Sequence, residues 1–144
     1  MDQMPSSAIA GTRSSEVRLV DLVVPEHTNH YGTLYGATAL QIMGKAAFIC
    51  ASRYAGGAVV MAKADSIEFR KPIRLGEIID ISARVVFRGR SSMTIVVDIF
   101  SDDPASASDA PISGRFMMVA VDDQGAPIPL PANADQFPRQ ETPS

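Results

Sequence analysis

Both histidines of the chain and an asparagine crowd into one short segment, Pro25-Glu26-His27-Thr28-Asn29-His30-Tyr31-Gly32-Thr33. It stands just ahead of a long stretch with helical periodicity that opens at Gly36. A helix start presents backbone N–H groups without intrahelical partners and the positive end of the helix dipole. Such a place suits an anion, or an oxyanion that develops during a reaction. The same residues also read as a polar loop that caps a helix, with His27 and His30 as surface side chains.

A second concentration lies between residues 70 and 90. Arg70, Lys71, Arg74, Arg84, Arg88 and Arg90 stand there against Glu77 and Asp80, a local charge of +4 in a chain whose remainder carries −7. A basic patch on an acidic protein points to a specific anionic ligand rather than bulk nucleic acid. Arg88-Gly89-Arg90-Ser91-Ser92 gathers two guanidiniums, a glycine turn and two hydroxyls, the groups that bind phosphate. A solvated hairpin whose edge charges discourage aggregation gives the same pattern. Asp65 interrupts a strand-like stretch and reads either as a functional acid or as a solvent-facing residue. Met43, Met61 and Met93 read as core filler. Cys50 sits in an apolar run with no basic neighbour to activate it and reads as a buried, inert thiol.

These residues need elements to hold them. From 35 to 54 the polar residues before the Tyr54 phenol are Thr38, Gln41, Lys45, Ser52 and Arg53, and the first four recur at 3, 4 and 7, one narrow stripe at helical period. The rest is small or apolar, so the helix is predicted to be wrapped by other structure on most sides. Gly56-Gly57 ends it. Residues 78–88 alternate, with Ile79, Ile81, Ala83, Val85 and Phe87 on one face and Asp80, Ser82, Arg84 and Arg88 mostly on the other. Residues 92–100, 114–121 and 16–24 are similar, and 58–69 is a longer, less regular strand. Gly89-Arg90 marks a tight hairpin and 101–111 a longer one. One strand, a long helix and four strands joined by short turns make antiparallel neighbours, an α+β sheet wrapped round one buried helix.

At 144 residues the chain has the length of one domain. With 46% apolar and 20% charged residues it is neither disordered nor the strongly basic chain of a general nucleic-acid binder. The lone cysteine excludes an intramolecular disulfide and a multi-cysteine zinc site. The longest apolar run in the helix stretch, 46–51, is far short of the ~20 residues that span a bilayer. No secretion signal opens the chain, so the expected location is cytoplasmic. Residues 1–15 read as a tail, 16–123 as the folded domain, and 124–144 as a proline-rich tail suited to extended polyproline conformation.

Together the features resemble the hot-dog-fold acyl-CoA thioesterases, the short bacterial acyl-CoA hydrolases and related cytosolic enzymes in particular. The resemblance spans about 17–128 and rests on four blocks in order: Pro25 to Gly36, the helix from Ala37 to Arg53, Asp65-Ser66-Ile67-Glu68-Phe69-Arg70-Lys71-Pro72 followed by Gly76, and Gly89-Arg90-Ser91-Ser92-Met93. It implies a five- to six-stranded sheet round a central helix, a homodimer joined edge to edge with its site between subunits, and often a trimer of dimers. Asn29 matches an asparagine that places the water or the thioester carbonyl. Gly36 and Ala37 match a Gly-Gly whose backbone N–H polarises that carbonyl. Arg88, Arg90, Ser91 and Ser92 match a turn that meets coenzyme A phosphates, with Arg70 and Lys71 as further contacts. The resemblance implies acyl-CoA as the ligand and no metal or covalent cofactor, while the composition and the short apolar runs imply no nucleic-acid or membrane partner.

The chain departs from that family most at Gly44, which stands where the family carries the aspartate that serves as general base. Losing a positioned base costs ~10²–10⁴ in rate. Ala37 in place of the second glycine adds a methyl and keeps the N–H. Gly44 is compatible with a substrate-trapping replacement, with a base supplied by Asp65 or a histidine, or with a non-catalytic acyl-CoA binding protein. A hot-dog dehydratase or hydratase ranks lower, because no histidine lies on the helix.

Overall fold

The computed structural model describes residues 15–102 and 109–132. Residues 1–14 and 133–144 of the two expected tails, and 103–108 of the longer hairpin, lie outside the described residues. Along the chain run β1 (Glu16–Leu22), a 3-10 turn (Pro25–His27), α1 (Gly36–Ala55), β2 (Val59–Phe69), β3 (Ile78–Arg88), β4 (Ser92–Ser101) and β5 (Ile112–Ala120). The strands form one antiparallel sheet in the order β1-β3-β4-β5-β2, and α1 packs against all five. This is the hot-dog arrangement, a sheet curled round a central helix.

The alternation in β3, β4 and β5 places Ile79, Ile81, Ala83, Val85, Met93, Ile95, Val97, Ile99, Phe116 and Met118 in the core. Burying one such side chain stabilises by about 1.5–3 kcal/mol. From the helix come Ala39, Met43, Ala46, Ala47, Cys50, Ala51 and Tyr54, all fully buried. The four alanines among them let α1 lie close to the sheet. Gly56 ends the helix in the left-handed region at φ 75°, its N–H donating to Ser52 O.

Three expectations need correction. The helix is wrapped on one side only, because five strands cover only one face: Leu40 and Phe48 are 41% and 49% exposed. The strands after the helix are not all neighbours in sequence order. The link 70–77 carries the chain from β2 at one edge to β3 beside β1, so β2 pairs with β5. Finally, the alternation in β3 breaks before Phe87, where the register shifts past Val86. Phe87 then pairs with Thr94 on the outer face, while Arg88 pairs with the core residue Met93 and turns toward the helix.

Packing also continues past Asp123. Leu130 is buried in the core, its N–H donates to Arg90 O, and Ile128 N–H donates to Ala120 O. The folded body therefore reaches Leu130, because this extended segment lies along the end of the sheet and covers it.

Candidate active site

The loop before α1 is built around Asn29. Its side-chain Oδ1 accepts from Tyr31 N (2.9 Å), Thr33 N (3.2 Å) and Thr33 Oγ1 (3.2 Å). Its own N–H donates to Thr33 O, and Gly32, at φ 77°, closes the turn by donating to Asn29 O. The oxygen is thus held within the loop by two backbone donors and a hydroxyl. His27 Nδ1 accepts from Val24 N, and the His30 ring lies 4.1 Å from that of Tyr31. Both histidines thus serve the loop.

The loop delivers the chain to α1 without a cap. Tyr35 is the N-cap and makes no side-chain capping bond. The first N–H groups of the helix, those of Gly36 and Ala37 included, have no intrahelical acceptor. A cavity opens at this end, lined by Leu34, Gly36, Phe69, Arg70, Lys71, Pro72, Ile73 and Ile112. Its walls are mostly apolar, with two cations at the rim. A Cβ on Gly36 would lie 3.7 Å from the Phe69 ring, an ordinary contact.

The basic cluster divides in space. Phe69 pairs with Ile112 and Ile79 with Ser101, so Arg70, Lys71 and Arg74 lie at the sheet end where α1 begins. Arg88 reaches Tyr54, near the other end of α1. The eleven residues of β3 lie between the two groups, roughly 30 Å of strand. Arg70 donates to Ala110 O and Ser113 Oγ, both at 3.0 Å, and pairs with Glu68. Arg88 donates to the Tyr54 hydroxyl and to Pro131 O, both at 3.3 Å, with its Cζ 5.8 Å from the Tyr54 ring centroid. It ties helix, hairpin and C-terminal segment together, which its inward turn after the bulge makes possible. Arg90 stands exposed at the hairpin tip. Ser92 O accepts from Gly89 N and Ser91 O from Ala120 N, which fixes the turn. A groove runs there between Phe87–Arg90 and Pro129–Ala132.

Gly44 lies midway along α1, facing β2. A Cβ built on it would meet Met61 Cε at 3.6 Å and nothing closer. Met61, read from sequence as core filler, is 46% exposed and covers the helix at that point. Asp65 is elsewhere: it pairs with Arg115 on the outer face, with Lys63 Nζ 3.4 Å from its carboxylate, beside Thr94 and Met117. Within one chain, neither Asp65 nor a histidine stands beside Gly44. Cys50 is inert as expected; burial first, then the nearby Glu16 carboxylate, push its thiol up to about 12. Among the described residues no cluster of acids, histidines or cysteine could hold a metal, and no helix is long and apolar enough to cross a membrane.

Residues 31–108 match the family described as the thioesterase superfamily. The chain is 32% identical over 127 residues to an acyl-CoA thioester hydrolase of Salmonella typhimurium, covering 83% of this chain and 93% of that one. The chain belongs to the acyl-CoA thioester hydrolases. A rat cytosolic acyl coenzyme A thioester hydrolase is also 32% identical over 120 residues, and there this chain spans only 32% of the relative's length. In structure it is similar to an acyl-CoA hydrolase of Staphylococcus aureus, solved with butyryl coenzyme A, coenzyme A and coenzyme A disulfide. The TM-score is 0.75 at 36% identity, over 83% of this chain and 73% of that one. A hexameric thioesterase of Yersinia pestis matches with a TM-score of 0.72 at 32% identity, over 79% and 93%. Three further structures of the Staphylococcus hydrolase carry alanine in place of an asparagine, an aspartate and a threonine. Those positions lie fifteen and then seventeen residues apart. Asn29, Gly44 and Met61 have the same spacing.

Proposed function

We propose that this chain binds acyl-CoA thioesters at a site shared by two copies and hydrolyses them slowly, because Gly44 occupies the place of the general base. The observation that carries the reading is the uncapped start of α1, with the Asn29 amide in the loop before it, opening into the apolar cavity rimmed by Arg70 and Lys71. There the N–H groups of Gly36 and Ala37 and the Asn29 amide can hold a thioester carbonyl as it becomes an oxyanion. The attacking water forms the new C–O bond, the C–S bond breaks, and the thiolate of coenzyme A takes up the proton that the water gives up. Arg90, Ser91 and Ser92 are the coenzyme A phosphate contacts of this proposal, joined by Arg70, Lys71 and any free donors of Arg88. No metal or cofactor enters the reaction.

Two copies are needed on geometric grounds. Gly36 and Gly44 are eight residues apart on one helix, about 12 Å. Reacting groups must come within ~3–3.5 Å of each other. Two helices related by a two-fold axis bring the start of one beside the middle of the other, and the same operation brings together the two halves of the basic cluster. The seam we propose is β2, an eleven-residue edge strand, exposed along nearly all its length, with Leu40 and Phe48 uncovered on the helix. The hexameric Yersinia neighbour supports further assembly into a trimer of dimers. The lone buried Cys50 and the cytosolic rat relative support a reducing, cytoplasmic setting.

The test is thiol release from a panel of acyl-CoAs, for this chain and for Gly44→Asp. The variant is expected to turn over ~10²–10⁴ times faster. No turnover by the variant on any acyl-CoA would refute the hydrolase reading. Among the described residues no carboxylate stands beside Gly44, which favours a second reading, a non-catalytic acyl-CoA binder. That reading expects tight, salt-sensitive binding of acyl-CoA by calorimetry and no hydrolysis over hours.

A further inference from the structure

The side chain nearest the missing base has no assigned part in the chemistry. Met61 lies on the helix-facing side of β2, since it pairs with the buried Met118. One residue later the register shifts, and Lys63 faces outward opposite Met117. Met61 is therefore the last side chain before the bulge to point at the helix, and its methyl carbon lies 3.6 Å from the Cβ position of Gly44. We propose that Met61 closes this centre to water: its thioether covers the point where the attacking water would stand, in place of a group that could hold it, and makes the centre dry as well as baseless. This rests on the hydrolase reading above.

The physical basis is short. A thioether accepts hydrogen bonds weakly and donates none. A water beside Met61 loses partners it has in bulk, and nothing orients it. A carboxylate introduced at position 44 would likewise meet a methyl rather than a donor. A hydroxyl at position 61 can donate to that carboxylate or hold the water against it. The threonine replaced in the Staphylococcus hydrolase lies seventeen residues beyond the replaced aspartate, as Met61 does beyond Gly44. In the double variant the water's oxygen bonds to the acyl carbon, its proton passes to the carboxylate at position 44, the C–S bond breaks, and that proton leaves with the thiolate.

The test compares Gly44→Asp with Gly44→Asp/Met61→Thr and Gly44→Asp/Met61→Leu in thiol-release assays, alongside acyl-CoA calorimetry on the unaltered chain. Threonine is expected to raise kcat over Gly44→Asp by roughly ten- to a hundredfold, the range carried by a hydrogen bond to an ionised group, with KM held within threefold. Leucine is expected to leave kcat unchanged. A threonine form within twofold of Gly44→Asp overturns the proposal, as does an equal gain with leucine, because leucine brings no hydroxyl. In both cases Gly44→Asp still turns over, and the hydrolase reading stands. If no variant hydrolyses acyl-CoA and the unaltered chain binds none, the hydrolase reading falls and takes this inference with it.

Discussion

Replacing Asn29 separates two tasks that one side chain performs. Asn29→Ala removes the acceptor of three hydrogen bonds, two of them part-buried. At a net ~0.5–1.5 kcal/mol each, discounted for the exposed one, the loss is about 2 kcal/mol. For a domain of this size that lowers Tm by roughly 5–10 °C. Asn29→Asp keeps an oxygen where all three donors converge, and an ionised acceptor bonds at least as strongly. Its Tm is therefore expected within about 2 °C of the unaltered protein, or above it. What it lacks is the amide donor, and it sets a negative charge beside the carbonyl oxygen of a bound thioester. Acyl-CoA affinity is expected to fall by ~10–100-fold, as is kcat when the change is made together with Gly44→Asp. Differential scanning fluorimetry and calorimetry on both variants read the two effects apart. If Asn29→Ala melts with the unaltered protein, the oxygen does not hold the loop. If Asn29→Asp binds acyl-CoA undiminished, the amide does not face the substrate.

Two further outcomes follow from the core. Gly114→Ala puts a Cβ 2.5 Å from Ile67 Cδ1 and 2.8 Å from Met43 Cε, so it should destabilise by ~1–3 kcal/mol in urea unfolding, and Ile67→Val, which removes the nearer atom, should restore part of the loss. Cys50 titrates from about 9.0 unfolded to about 12 folded, so its contribution is complete below pH 9 and is lost as pH rises toward 12. The slope of stability against pH above 9 should flatten in Cys50→Ala, and an aromatic disulfide reagent should label the thiol only in urea; labelling of the native protein would contradict its burial.

The sequence is most legible where periodicity is unbroken. The stripe Thr38, Gln41, Lys45 and Ser52 foretells α1, and the alternation from Ile79 to Val85 foretells β3 and its buried face. Reading stops where the backbone inserts a residue. The shift past Val86 sends Arg88 to the helix, and nothing in the order of side chains announces a bulge. The placement of β2 is equally silent, because an eight-residue link serves a hairpin or a crossing alike. Charges close in sequence need not be close in space, and β3 separates Arg70, Lys71 and Arg74 from Arg88 and Arg90. The missed residue is Met61: a methionine in a strand reads as filler, and only its position over Gly44 reveals the difference. Its seventeen-residue distance from Gly44 gains meaning only beside the replaced aspartate and threonine of the Staphylococcus hydrolase.

The kink in β2 has a consequence beyond its own strand. Ser66 takes φ 55° and the register shifts between Asp65 and Glu68, so Ile67 dips into the notch that Gly114 leaves open. A strand pinned this way cannot slide along β5 without lifting Ile67 out of its seat. The free side of β2 is the side a second copy would join. The phase of the proposed seam, and hence which helix start would meet which helix middle, would then be set by a notch buried inside each copy. Enlarging Gly114 should then misalign two subunits without altering any residue that touches the substrate, much as a shifted zipper tooth displaces every tooth beyond it.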